Sequence, residues 1–295
     1  MSLGVMLALG AMVMATVTNA IQEYIANKQA DSSLVWQYCV LVSIAAVVLW
    51  LTDGFIITIP TATAAMLLAT TWIVGYAWIW LLFQSLRRLD LWITMVIASS
   101  YVFFGYFANR FLFPDIEQLV WQKVLVACIF FCVIACFLLH RDTVTHHIRV
   151  SWVLLYPLGT ALCRTVFSTL LNVFMKWGYM TPLQSIFFTE GAILLIAVLH
   201  HLLLARRLPR KIPVVLGTWR LVRAYVARWL ANFAMGVLGN MAYTLEAANT
   251  VNIVKLFSIV LSALFGYIFF KQLLSQKQLL LMSIAFGLLV VFVIL

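Results

Sequence analysis

The chain reads as an all-α integral membrane protein, with ten transmembrane helices arranged as two inverted five-helix repeats. Three observations carry this reading. Of 295 residues, 65% are hydrophobic and only 9% are charged, and the mean hydropathy is +1.07. A soluble domain carries about 25% charged residues, so apolar surface on this scale calls for a bilayer as solvent. The apolar residues fall into ten segments. Finally, Phe104-Gly105-Tyr106 recurs as Phe265-Gly266-Tyr267, late in the fourth and ninth of those segments.

A helix needs about 20 apolar residues to cross the hydrocarbon core. The segments are Leu3–Gln22, Leu34–Thr52, Ala62–Ser85, Leu91–Phe113, Leu119–Leu139, Trp152–Phe174, Leu183–Leu204, Tyr225–Leu245, Val251–Phe270 and Leu279–Leu295. Helices are required because an open sheet would leave backbone groups unpaired in lipid. Most links are short, which makes neighbours antiparallel hairpins. The longest link, Ala205 to Ala224, is basic. Its stretch Val214–Tyr225 sets Trp219, Leu221 and Val222 among Arg220 and Arg223. That pattern fits a short interfacial helix or a plain basic loop. The first apolar stretch is too long for a cleavable signal peptide and lacks a basic n-region.

The repeat extends beyond its opening match. Arg110 and Leu112 answer Lys271 and Leu273 at the same offset, 161. Asn19 answers Asn172 and Gln37 answers Glu190 at offset 153, and Ser85-Leu86 answers Thr244-Leu245 at 159. Small insertions in loops account for the drift. The division is residues 1–140 for the first repeat, 141–151 for a linker and 152–295 for the second repeat. Five spans per half is an odd number, so the halves are inverted, the plan of a secondary transporter.

Net charge is +10, but the basic residues cluster in loops, which argues for topology signals and against nucleic-acid binding. Loops after odd-numbered spans hold Lys28, Arg87, Arg88, Arg141, Arg149, Arg206, Arg207, Arg210, Lys211, Arg220, Arg223, Lys271 and Lys277. The other side has little beyond Arg110, Lys123 and Lys176. The positive-inside rule then places both termini outside the cytoplasm.

Ten spans in a 5+5 repeat resemble the drug/metabolite transporter superfamily, EamA-like branch. The segment Asn172-Val-Phe-Met-Lys176-Trp-Gly-Tyr-Met-Thr-Pro182 through Glu190-Gly191-Ala192 is similar to that family's sixth and seventh helices. A helix there ends in a basic residue, a short loop carries Pro, and a polar residue follows about eight positions on. That residue is usually Arg, and here it is Glu190; the first helix also lacks the family's usual Trp-Gly. Asn249-Thr-Val-Asn252-Ile-Val-Lys255-Leu-Phe-Ser258 resembles the start of the ninth helix in the nucleotide-sugar and sugar-phosphate branch, where a lysine meets substrate phosphate. Family members keep both termini in the cytoplasm, which leaves the orientation open.

Charges at membrane depth cost about 2.5–3.5 kcal/mol on insertion scales, so each needs a reason. Glu190 lies about eight residues into span seven, roughly 12 Å deep at 1.5 Å per residue. It reads as the one carboxylate well inside a span. It is either a protonatable group that couples transport to protons or binds a cationic substrate, or half of an ion pair with Arg164 in span six. Lys255, beside Asn252 at i−3, is either an anion contact inside the cavity or a lysine snorkelling to the interface; Glu246 stands across the turn to neutralise it. Asn240 and Tyr243 share a face of span eight, and Gln37 occupies the position symmetric to Glu190. These are candidate substrate contacts or polar helix glue. Tyr76 and Trp80, at i and i+4, suit a cation–π wall or serve as interfacial anchors. Tyr101 and Tyr106 stand under the same two readings.

There are five cysteines. Cys128, Cys132 and Cys136 form a helical stripe that reads as a metal or redox site, or as small residues where helices pack closely. No metal or cofactor is expected, since no ligand spacing is present. The pairs His146-His147 and His200-His201, with His140, read as interfacial residues. Gly105 and Gly266 either allow close helix approach or mark ordinary packing. With no nucleophile-elbow, Walker, HExxH or Rossmann pattern, the chain does not read as an enzyme.

The expected function is a secondary active transporter in the plasma (inner) membrane. It moves a small polar metabolite by alternating access around spans three, four, eight and nine and those bearing Gln37 and Glu190. The resemblance implies efflux of amino acids or related compounds. The alternatives are exchange of phosphorylated or nucleotide-linked sugars, favoured by Lys255, and flipping of lipid-linked sugar. Expected partners are the small-molecule substrate and the lipid bilayer, with a homodimer left open.

Overall fold

Runs of Leu, Ala, Val and Phe with few breakers produce helices throughout. The computed structural model describes residues 2–28, 33–52, 61–112, 121–139, 153–176, 179–207, 219–245, 254, 256–271 and 276–295. Among the described residues there are eleven helices and no strand. They are α1 (Leu3–Lys28), α2 (Ser33–Leu51), α3 (Ala62–Leu86), α4 (Leu91–Ala98), α5 (Tyr101–Leu112), α6 (Trp121–Leu139), α7 (Leu155–Lys176), α8 (Pro182–Arg207), α9 (Trp219–Leu245), α10 (Ser258–Phe270) and α11 (Gln276–Ile294). Four stretches are long and apolar enough to cross a membrane: Leu3–Asn27, Ala64–Leu86, Leu91–Ala108 (which runs through α4 and α5) and Leu183–Leu203.

Helix ends follow local chemistry. Thr61 caps α3 by accepting from Ala64 N at 3.1 Å. At α8, Gln184 N donates to Thr181 Oγ1 at 3.2 Å while Thr181 N donates to Gln184 Oε1 at 2.9 Å. This reciprocal capping box, with Pro182 at the first helical position, starts α8 sharply. Lys271 ends α10 in the left-handed region, φ 54°.

Three elements depart from the sequence reading. α1 runs six residues past Gln22, which buries Glu23. α9 starts at Trp219 and absorbs the end of the basic link, so Trp219 to Arg223 continue α9 and form no separate interfacial helix. The fourth segment is interrupted at Ser99-Ser100. There the Ser99 hydroxyl donates to Met95 O and the Ser100 hydroxyl to Ile97 O, both at 2.7 Å. Buried serines bond back to the preceding turn and compete with the backbone ladder, which separates α4 from α5.

Packing across the two halves of the chain is paired. Taking α4 and α5 as one interrupted helix, each half supplies five members: α1 to α6, and α7 to α11. The first member of each half packs on the third of the other, α1 on α9 and α7 on α3. The second members pack together as α2 on α8, the fourth as α4 on α10, and the fifth as α6 on α11. The fourth member of each half also meets the first of the other, α5 on α7 and α10 on α1. Exchanging the halves leaves this set of contacts unchanged.

Two apolar clusters fill the interior. One joins α4, α5, α6, α10 and α11 around Trp92, Phe103, Phe130, Ile259 and Phe292. The other joins α1, α2, α3, α8 and α9 around Ile25, Tyr38, Phe83, Ile193 and Trp229. The outward faces are also apolar: Leu195, Leu199, Leu202 and Leu203 on α8 are all more than half exposed.

Candidate functional site

The polar residues of the second cluster gather around Glu190. Antiparallel α8 and α9 are held by Asn240 Nδ2 donating to Ser185 Oγ at 3.3 Å, and further along by Asn232 Nδ2 donating to Glu190 Oε1 at 3.5 Å. The second contact is at the long limit of a hydrogen bond. Glu190 Oε2 is buried and has no hydrogen-bond partner.

Asn232 and Arg228 sit at i and i−4 and share one face of α9. Arg228 is 4% exposed, its guanidinium carbon lies 5.7 Å from the centre of the Tyr38 ring, and its Nε has no hydrogen-bond partner. Glu190 interacts electrostatically with Arg228, and the Tyr38 hydroxyl with both. Thus α2, α8 and α9 bring together a carboxylate, a guanidinium, an amide and a phenol.

α1 adds a fourth wall at the same level. Ala8 packs with Ala242, and a Cβ on Gly10 would lie 3.1 Å from Leu238 Cδ1, so α1 and α9 run antiparallel. Counting equal rises from those contacts brings Gln22 level with Arg228 and Thr18 level with Asn232. Gln22 is 1% exposed and neither its Nε2 nor its Oε1 is hydrogen-bonded; Thr18 Oγ1 is likewise buried without a partner. The large majority of buried side-chain polar atoms in proteins have a hydrogen-bond partner. A set of unsatisfied donors and acceptors at one level, from the three helices α1, α8 and α9, is the arrangement expected where a polar ligand or water binds.

The Glu190–Arg164 pair, one of the two readings of Glu190, is not formed. Arg164 Cζ stands 4.0 Å from the Tyr101 ring centre and 5.8 Å from that of Trp78. Glu190 instead meets Asn232 of α9. Tyr76 and Trp80 do share a face of α3, but His200 of α8 occupies it. The Tyr76 hydroxyl is hydrogen-bonded to His200 Nδ1, and the Trp80 and His200 rings meet edge-on at 6.1 Å. His200 is therefore a packing partner inside the α3–α8 contact. Lys255, Asn252 and Glu246 lie outside the described residues, as do the side chains of Gln37 and Tyr243.

Sequence reasoning passed over Arg228, Asn232, Tyr38 and Glu23. Arg228 carried the same signal as Glu190, a charge inside an apolar segment. Tyr38 is the neighbour of Gln37, the residue singled out by the repeat. Glu23 directly follows the first segment, which ends at Gln22, and is 2% exposed. Cys128 and Cys132 are exposed, so they do not mark a close helix contact. A Cβ on Gly105 would meet nothing within 4 Å, whereas one on Gly75 would meet Phe167 Cε2 at 2.9 Å and one on Gly159 would meet Leu81 Cδ1 at 3.0 Å. Among the described residues, no three His, Cys, Asp or Glu side chains gather as metal ligands.

Comparison with known proteins is negative on two counts: no protein-family model matches the chain, and no curated protein matches it.

Proposed function

We propose that the protein is a multi-pass membrane carrier of the drug/metabolite transporter type. It moves a small polar metabolite, an amino acid or related compound, by alternating access, and it is not an enzyme. The observation that carries the reading is the buried polar cluster of Glu190, Arg228, Asn232 and Tyr38, in which Glu190 Oε2 and Arg228 Nε have no hydrogen-bond partner. It lies where α2 of the first half meets α8 and α9 of the second. Buried charges without full partners are costly, and in an apolar bundle they mark substrate or ion routes. The exchange-symmetric packing of the halves supports an inverted ten-span repeat, and such repeats place their sites at the interface between them. The exposed apolar faces support insertion in lipid, with the plasma (inner) membrane as the proposed location. Glu190 is the candidate coupling carboxylate, taking up a proton or a cationic group of the substrate.

The test is counterflow of labelled amino acids into proteoliposomes. Wild-type protein accumulates label against an internal pool, and Glu190→Gln loses uptake by about tenfold or more, as for a lost charge-assisted contact, while eluting as a folded particle. Undiminished uptake in that variant refutes the assigned role of Glu190. Absence of exchange by wild type with every amino acid refutes the substrate class.

A further inference from the structure

We infer that Arg164 is a second binding residue, one that holds an oxyanion group, a carboxylate or phosphate, of the transported molecule. The inference builds on the carrier reading by naming the chemical class of one end of the substrate, and it stands on separate residues.

Arg164 lies nine residues into α7, a helix that ends at Lys176. Leu162 and Val166, at i−2 and i+2, are 49% and 42% exposed, and so is Leu155 at 52%. At 100° per residue these three mark one outward stripe, and Arg164 points to the opposite side. Thr165 next to it donates its hydroxyl to Tyr101 O at 3.1 Å, which ties this turn of α7 to α5. Arg164 is nevertheless only partly buried. Its exposure is therefore toward the inside of the bundle.

The contacts of Arg164 are with aromatic rings, Tyr101 at 4.0 Å and Trp78 at 5.8 Å. The N–H edge of a guanidinium is the part shaped for bidentate recognition of carboxylate or phosphate. Among the described residues no carboxylate pairs with Arg164 and no acceptor takes its N–H groups. Arg164 is partly buried with no counter-charge beside it among the described residues, and an arriving oxyanion supplies both the charge and the acceptors.

Arg164 lies near the level of the main cluster. Gly75 of α3 approaches both Phe167 of α7 and Ile193 of α8. Counting from that junction along the antiparallel helices puts Arg164 within about two turns of Glu190 along the bundle axis. A molecule held at Arg164 thus lies within about 11 Å of Glu190 along the bundle axis.

The experiment uses the full chain in detergent with three probes at equal ionic strength: sodium succinate, inorganic phosphate and sodium chloride. Wild-type protein is expected to gain thermal stability with succinate or phosphate and not with chloride; whichever oxyanion acts identifies the carboxylate or phosphate source. In Arg164→Gln the apparent affinity should fall by about ten- to a hundredfold, the equivalent of a lost charge-assisted hydrogen bond. In parallel, phenylglyoxal labelling of wild-type Arg164, read by mass spectrometry, should slow in the active oxyanion. That measurement decides the matter even if the variant fails to fold. Equal stabilisation of wild type and Arg164→Gln, or unprotected labelling in every oxyanion, overturns the inference. Protected Arg164 in a protein that exchanges no amino acid would refute the proposed substrate class alone. Amino-acid exchange with unprotected Arg164 would refute this inference alone.

Discussion

Removing Arg228 is the most informative single perturbation of the cluster. Glu190 interacts electrostatically with Arg228, and its remaining polar contact is the 3.5 Å approach of Asn232. Arg228→Met keeps an apolar stem of similar length and deletes the charge. It leaves Glu190 without its cation, and breaking a buried charge pair in this way costs about 3–5 kcal/mol. Contact between the two groups is looser here than in a direct ion pair, so the lower end, about 3 kcal/mol, is expected. Glu190→Gln alone strands Arg228 in turn. The double variant removes both charges and should recover about 1–3 kcal/mol relative to the sum of the single losses. Thermal unfolding or denaturant titration of the four proteins in one detergent gives the cycle. Losses that add to within about 0.5 kcal/mol would mean the two groups are independent, and the proposed site would lose its central pair.

Two further outcomes follow from the packing. Gly75→Ala places a methyl 2.9 and 3.0 Å from the Phe167 ring and 3.3 Å from Ile193 Cδ1, so it should destabilise by about 1–3 kcal/mol through overpacking. Gly105→Ala meets open space and should be neutral or stabilising by up to about 1 kcal/mol; unfolding midpoints of the two variants should move in opposite directions or differ clearly. Tyr76→Phe removes the hydroxyl bonded to His200 and should cost about 0.5–1.5 kcal/mol without reducing exchange, because this contact is structural; a loss of transport at unchanged stability would return Tyr76 to the site.

Helix existence was legible in the sequence because it depends on the local run of apolar residues. α2, α3, α6 and α8 begin and end within a few residues of the segments read from composition. Glu190 was legible for a related reason, since a carboxylate among apolar neighbours stands out without any structure. Other features were decided by tertiary packing. Whether Glu190 meets Arg164 or Arg228 depends on which helix lies beside α8, and no local pattern encodes that. The face of Tyr76 and Trp80 was read correctly as a shared face, but its occupant is His200, 124 positions away in the chain from Tyr76. The break at Ser99-Ser100 turns on hydroxyl groups choosing backbone acceptors within a buried turn. Composition and periodicity thus determined that the chain forms long apolar helices with few charges. Only the arrangement of those helices decided which charges meet and which stay unpaired, because electrostatic and hydrogen-bond energies depend on distances between segments remote in sequence.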